Sequence, residues 1–129
     1  MRPDLRARIE ALGDGLHRLV LDDGRAWIAK RRRGAPPGFF AAEAHGLALL
    51  RATATLRVPQ VQGCDGGWIV LEDLGRGRAS PAAWEDAGRR LAALHAHRAA
   101  RFGLDREGWC GDGPQPNTPM DDGWAFFAQ

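Results

Sequence analysis

Lysine is almost absent from this sequence. Of 18 basic residues in 129, only Lys30 is a lysine, and the rest are arginine. Charge of one sign is lacking too: 16 acidic residues leave a formal net charge of +2, too small a field to draw nucleic acid or a membrane surface by electrostatics alone. Cysteine is scarce. Cys64 and Cys110 stand alone without CxxC spacing, which favours two free thiols in a reducing compartment over a disulfide framework or a thiolate metal site. No run approaches the roughly 18 apolar residues of a membrane-spanning helix, and the opening MRPDLRARIEALGDGL has no signal-like apolar core. The expectation is a cytoplasmic protein of about one domain, with no membrane and no nucleic-acid partner.

Ala, Arg and Gly dominate, with 44% hydrophobic and 26% charged residues, the balance of an ordinary globular chain. Leu5, Ile9 and Leu12 in the first dozen residues have helical spacing and predict a short amphipathic helix. Asp23-Gly24 between two apolar stretches predicts a hairpin of Leu16 to Leu21 with Arg25 to Lys30. In the second strand Ala26, Ile28 and Lys30 share one face. RRRGAPPGF is a loop. Phe39 to about Thr53 reads as a helix with Phe40, Glu43, Leu47 and Leu50 on one stripe. RVPQVQG and GWIVLEDL read as two more strands joined around Asp65-Gly66-Gly67. A long helix runs from Ser80 as N-cap and Pro81 in its first turn to about Ala100. The Gly-, Pro- and Asp-rich remainder is mostly loop, with a last helix starting near DDGWAFFAQ. The predicted architecture is α+β. Residues 1–74 make a lobe of helix, antiparallel sheet and inserted helix, and residues 75–129 make a linker and the beginning of a helical lobe.

Where charge sufficed this chain used arginine, so its lone lysine marks a place a guanidinium does not fit. Lys30 at a strand end and Glu43 on the inner stripe of the next helix are each costly alone and satisfied as a pair. Such a pair lets an ammonium reach nucleotide phosphates while the carboxylate holds it; a purely structural ion pair remains the alternative. IVLEDL, a buried strand running into Glu72 and Leu74, reads either as a strand ending at the surface or as a linker offering main-chain groups to an adenine edge. Gly13 and Gly15 in GDGLHR make either a plain turn or a turn above phosphates, with too few glycines for GxGxxG. His95 and His97, two apart on a helix, do not share a face for a metal. Asp121 and Asp122 read as a capping cluster. Arg25 and Arg31 to Arg33 form a basic patch without interleaved aromatics.

Taken in order, WIAK, the F-x-x-E-x-x-G-L-x-x-L helix, RVPQV, WIVLEDL, LAALH, the FG segment and Q-x-N followed by W-x-F-F resemble the fructosamine kinase (ketosamine kinase) family, over residues 19–129. The resemblance implies a protein-kinase-like fold, related to aminoglycoside and choline kinases. It implies ATP as cosubstrate and phosphorylation of the 3-hydroxyl of a fructosamine or ribulosamine, free or protein-bound, in protein deglycation. It gives nucleotide-binding roles to Lys30, Glu43, Glu72 and Leu74, and places the turn at Gly13 and Gly15 over the phosphates, although LGDGLHR departs from the family's GGDI-like turn. Gln115 and Asn117 belong to the family signature. An H-G-D-x-x-x-x-N motif, whose Asp serves as base, and the later Mg²⁺-holding Asp are missing from the 129 residues. The expectation is therefore an N-terminal lobe with the first part of the C-terminal lobe: no catalytic residue and no metal ligand in this chain, the base lying beyond residue 129, and no activity of the chain alone. The alternatives are a non-catalytic module that self-associates through Trp84, Leu91, Leu94, Trp109, Trp124, Phe126 and Phe127, or a fragment of an aminoglycoside- or choline-kinase-like phosphotransferase.

Overall fold

The computed structural model describes residues 7–129. The chain divides into two compact units, one of residues 1–48 and 58–77, the other of residues 49–57 and 78–129.

The first unit is built on a five-stranded antiparallel sheet in the order β1-β2-β3-β5-β4. Its strands are β1 (Ala7–Gly13), β2 (Leu16–Leu21), β3 (Ala26–Arg31), β4 (Val61–Cys64) and β5 (Trp68–Glu72). Helix α1 (Phe39–Ala52) is inserted between β3 and β4, with its residues 39–48 in this unit and its last turn in the other. The predicted α+β lobe with one inserted helix is thus what the chain forms.

β1 corrects the expectation of an N-terminal helix; residues 1–6 of that stretch lie outside the described residues. Ile9 and Leu12 do not share a face. Ile9 pairs with Leu19 and is 66% exposed, whereas Leu12 turns toward Leu16 and Arg18. The β2 edge decides the matter: its main-chain groups need partners, and the Asp14-Gly15 turn brings residues 7–13 back along it. Gly15 has φ of 69°, a conformation glycine adopts without cost. A Cβ there would collide with the Arg31 carbonyl oxygen, because Arg31 N–H donates to the Gly15 carbonyl at 2.7 Å.

Register fixes the faces. Leu16 opposes Lys30, Arg18 opposes Ile28, Ile28 opposes Leu71 and Lys30 opposes Ile69. Directly opposed residues lie on one side of a sheet, so all six share the face on which α1 sits. There Phe40 packs with Ile69 and Leu71, flanked by Ala44, Leu47 and Val61. Ile69 is fully buried, worth roughly 1.5–3 kcal/mol. α1 starts after Pro36, Pro37 and Gly38, the last at φ 79°, and closes at Ala54, which takes φ 53° in the position helices usually give to glycine.

The second unit contains α2 (Pro81–His95), the short hairpin β6 (Gly108–Cys110) and β7 (Gly113–Gln115), and α3 (Gly123–Phe127). Ser80 caps α2 as predicted, its hydroxyl accepting from Ala83 N–H at 3.1 Å. The helix stops at His95, short of the expected Ala100, where Ala96 and His97 N–H groups fall back on the carbonyls of Ala93 and Leu94, the tightened bonding of a terminating turn. The β6–β7 hairpin replaces part of the predicted loop. Asp122 caps α3 through Trp124 and Ala125 N–H, and Asp121 instead pairs with Arg101 at 2.8 Å. Among the described residues no helix is long and apolar enough to cross a membrane.

Candidate active site: a cleft in the first unit

Lys30 stands near the end of β3 with its side chain on the α1 face of the sheet. One helical turn after Phe40 has anchored α1, Glu43 faces the same way. The Lys30 ammonium donates to Glu43 Oε1. Their side chains are 41% and 28% exposed, so the pair is open to water, and its net contribution to stability is small. Its geometry suits another use: the Glu43 carboxylate holds an ammonium that keeps two further N–H donors.

Beside this pair on the same face is a cleft of about 680 Å³, within the size range of small-molecule sites. Leu12, Leu16, Ile28, Leu71 and Leu74 give it apolar walls, and Pro59 closes one side. Glu72, which ends β5, and Asp73 and Leu74 after it form its rim. Glu72 is held to the segment before β4: its N–H donates to the Gln60 carbonyl at 2.8 Å, and its carboxylate accepts from Gln60 N–H at 3.2 Å. Asp73 N–H donates to the Ala26 carbonyl. The slot is apolar on its faces and bordered by the chain at residues 72–74.

Gly13 and Gly15 do not line this cleft. With Asp14, His17 and Arg31 to Arg33 they line a separate polar hollow of about 730 Å³. His17 opposes Ala29, so it points to the face opposite Lys30. The structure therefore brings Lys30 to Glu43 and sets Glu72 and Leu74 at the cleft rim, while Gly15 directly precedes Leu16 of the cleft wall and binds Arg31 N–H, next to Lys30, through its carbonyl.

Arg18 and Asp73 were not singled out in the sequence. Arg18 Nε donates to Asp73 Oδ2 at 2.6 Å, with Glu10 Oε2 3.6 Å away. The hydrogen bond from Arg18, then that from Gly75 N–H, holds the Asp73 carboxyl below the ordinary carboxylate value, and the same contact raises Arg18. The signal was available. Leu16, Arg18 and Val20 alternate on the inner face of LHRLVL, and a charge at the middle position requires a partner for the reason Glu43 does.

Gln115 and Asn117 lie in the second unit. Asn117, buried, donates from Nδ2 to the Arg106 carbonyl at 3.2 Å and accepts at its carbonyl from Leu104 N–H at 2.9 Å, so it ties a loop. Gln115 ends β7 opposite Gly108. Among the described residues no group of three or more His, Cys, Asp or Glu side chains is arranged to hold a metal.

Residues 13–129 match the family model described as fructosamine kinase. Similar curated relatives include the following three. A Synechocystis protein named as a ketoamine kinase is 39% identical over 85% of this chain and 39% of its own length. A Thermus thermophilus protein of the same name is 36% identical over 95% and 47%. The chloroplastic protein-ribulosamine 3-kinase of Arabidopsis thaliana is 31% identical over 83% and 35%. The chain thus spans less than half the length of these relatives. Among solved structures, proteins named as fructosamine-3-kinases from Thermobifida fusca and Haemophilus somnus each superpose with a TM-score of 0.82. They are 32% and 26% identical, and the match covers 96% and 97% of this chain and 45% of each of theirs.

Proposed function

The chain belongs to the fructosamine kinase family, and from that premise we propose that it supplies the nucleotide-binding part of an ATP-dependent kinase acting on the 3-hydroxyl of ketosamines, in protein deglycation in the cytoplasm. The observation that carries this is the joint placement of the Lys30–Glu43 pair and the apolar cleft edged by Leu74 on one face of one sheet. In this reading the base lies between Ile28 and Leu71 on one side and Leu74 on the other, against main-chain groups of the linker at Glu72 and Leu74. Lys30 then contributes charge to the phosphates, and Glu43 keeps its ammonium in place. Phosphoryl transfer depends on positioning and on fixed charge, and these residues supply the share of both that concerns the nucleotide. The described residues offer no fitting ligand set for Mg²⁺, and the 129 residues contain no H-G-D-x-x-x-x-N base motif. The chain taken alone therefore binds nucleotide weakly and transfers nothing.

Calorimetric titration of the chain with adenosine and with ATP tests the proposal. Both ligands bind the parent chain, and Lys30→Ala weakens ATP while leaving adenosine unchanged. Absence of binding by either ligand overturns the nucleotide reading. Phosphorylation of a fructosamine by the chain alone overturns the claim that it cannot transfer.

A second reading, a self-associating module, draws on the exposure of Trp84, Leu91, Trp124 and Phe127 in the second unit. Light scattering that shows a monomer at high concentration counts against it.

A further inference from the structure

Arg18 is out of place by its strand's own pattern. On the inner face of β2 it sits between Leu16 and Val20, opposite Ile28, and it forms part of the wall of an otherwise largely apolar cleft. Three segments meet at its guanidinium. Nε donates to Asp73 of the linker, 55 residues away, at 2.6 Å, and Glu10 of β1 stands 3.6 Å from its other end. The other Asp73 oxygen accepts from Gly75 N–H at 2.8 Å, so one carboxylate fixes the linker's bend and holds the strand to it. The Asp73 side chain is 11% exposed, well sheltered for a contact at a cleft mouth. A forked, planar donor set suits one group that serves acids from two directions.

We propose that Arg18 is a positioning residue for the purine base: by joining β2 to the linker through Asp73, it fixes the separation between the first hairpin and Leu74, and with it the grip of the slot on a flat ring, independently of the phosphates. This rests on the nucleotide reading above. It divides the site's work by residue, with Arg18 and Asp73 governing the base and Lys30 and Glu43 governing the phosphates.

The experiment titrates adenosine and ATP into the full 129-residue chain and its variants, with far-UV circular dichroism and urea unfolding as checks on folding. Arg18→Ala and Asp73→Asn each weaken both ligands by the same factor, about tenfold, as expected for breaking one coupled pair. Arg18→Lys, which keeps the charge but not the fork, loses less. The double variant, Arg18→Ala with Asp73→Asn, loses little more than either single one, because both act through one contact. Unchanged adenosine affinity in a folded Arg18→Ala chain overturns the inference and leaves the nucleotide reading standing. A loss confined to ATP also overturns it, since Arg18 would then act on the phosphates. Single losses that add in full in the double variant overturn the role of Asp73 as the partner through which Arg18 acts. A parent chain that binds neither ligand overturns the nucleotide reading, and this inference with it.

Discussion

Two residues with positive φ act in opposite senses. Gly15 (φ 69°) packs under the Arg31 carbonyl, so Gly15→Ala adds both backbone strain and a collision, and should cost about 1–3 kcal/mol. Ala54 (φ 53°) carries a Cβ in the same region of backbone space, exposed at the end of α1, and Ala54→Gly should stabilise by about 0.5–1 kcal/mol. Urea unfolding of the two variants should therefore shift in opposite directions. Asp73 sets an acid limit. Its folded value lies below the ordinary 3.8 because of Arg18 and then Gly75 N–H. Its stabilisation is therefore fully present above that value and is lost as pH falls through the depressed one. Below about pH 4 the parent's urea midpoint should fall more steeply than that of Asp73→Asn. At this scale a charge interrupting an apolar stripe was the readable signal, used at Lys30 and Glu43 but not at Arg18, where it stands equally between Leu16 and Val20. Asp73 was less readable, because its partner lies 55 residues away and only register reveals it.

Elements differ in what holds them. Strand β5 is held by its interior: Ile69→Ala empties a fully buried position and should cost about 2–5 kcal/mol. Helix α2 buries no residue; its support comes from Ser80, from Pro81 and from the Glu85–Arg89 and Asp86–Arg90 pairs at 2.7 Å. Ser80→Ala should therefore cost about 1 kcal/mol, lost from α2 while the sheet is unaffected, as circular dichroism and urea unfolding would show. Sequence patterns located β2, β3, α1 and the start of α2 closely. They failed at β1, where a three-residue helical match outweighed a turn signal of the kind accepted at Asp23-Gly24. The same kind of signal stands at Gly111-Asp112, between β6 and β7. A short strand carries little period of its own and is made by its neighbour's unpaired edge; that information lies in the pairing and not in the segment.

Across the molecule, the buried apolar residues Leu21, Phe40, Val58, Ile69 and Leu71 lie outside α2, β6, β7 and α3. Local opening follows local packing, so amides of β3 and β5 should exchange with deuterium far more slowly than those of α2. Adenine nucleotide should slow exchange in β2, β3 and residues 72–75 and leave α2 unchanged. The antiparallel sheet with its inserted helix was legible in the order of patterns along the chain, whereas the faces of β2, with Leu16 and Arg18 toward the cleft and His17 away from it, were not, because face assignment needs register. One feature gives the molecule a built-in reporter. The ion-paired ammonium at the end of β3 is the sole side-chain primary amine in 129 residues, and it is 41% exposed. Once hydroxylamine has removed any thioesters at the free thiols of Cys64 and Cys110, an amine-acylating reagent leaves stable adducts on two amines, this group and the terminal amine, and intact mass spectrometry can count them one adduct at a time. With ATP present the second adduct should form several-fold more slowly; with adenosine it should form at the unprotected rate.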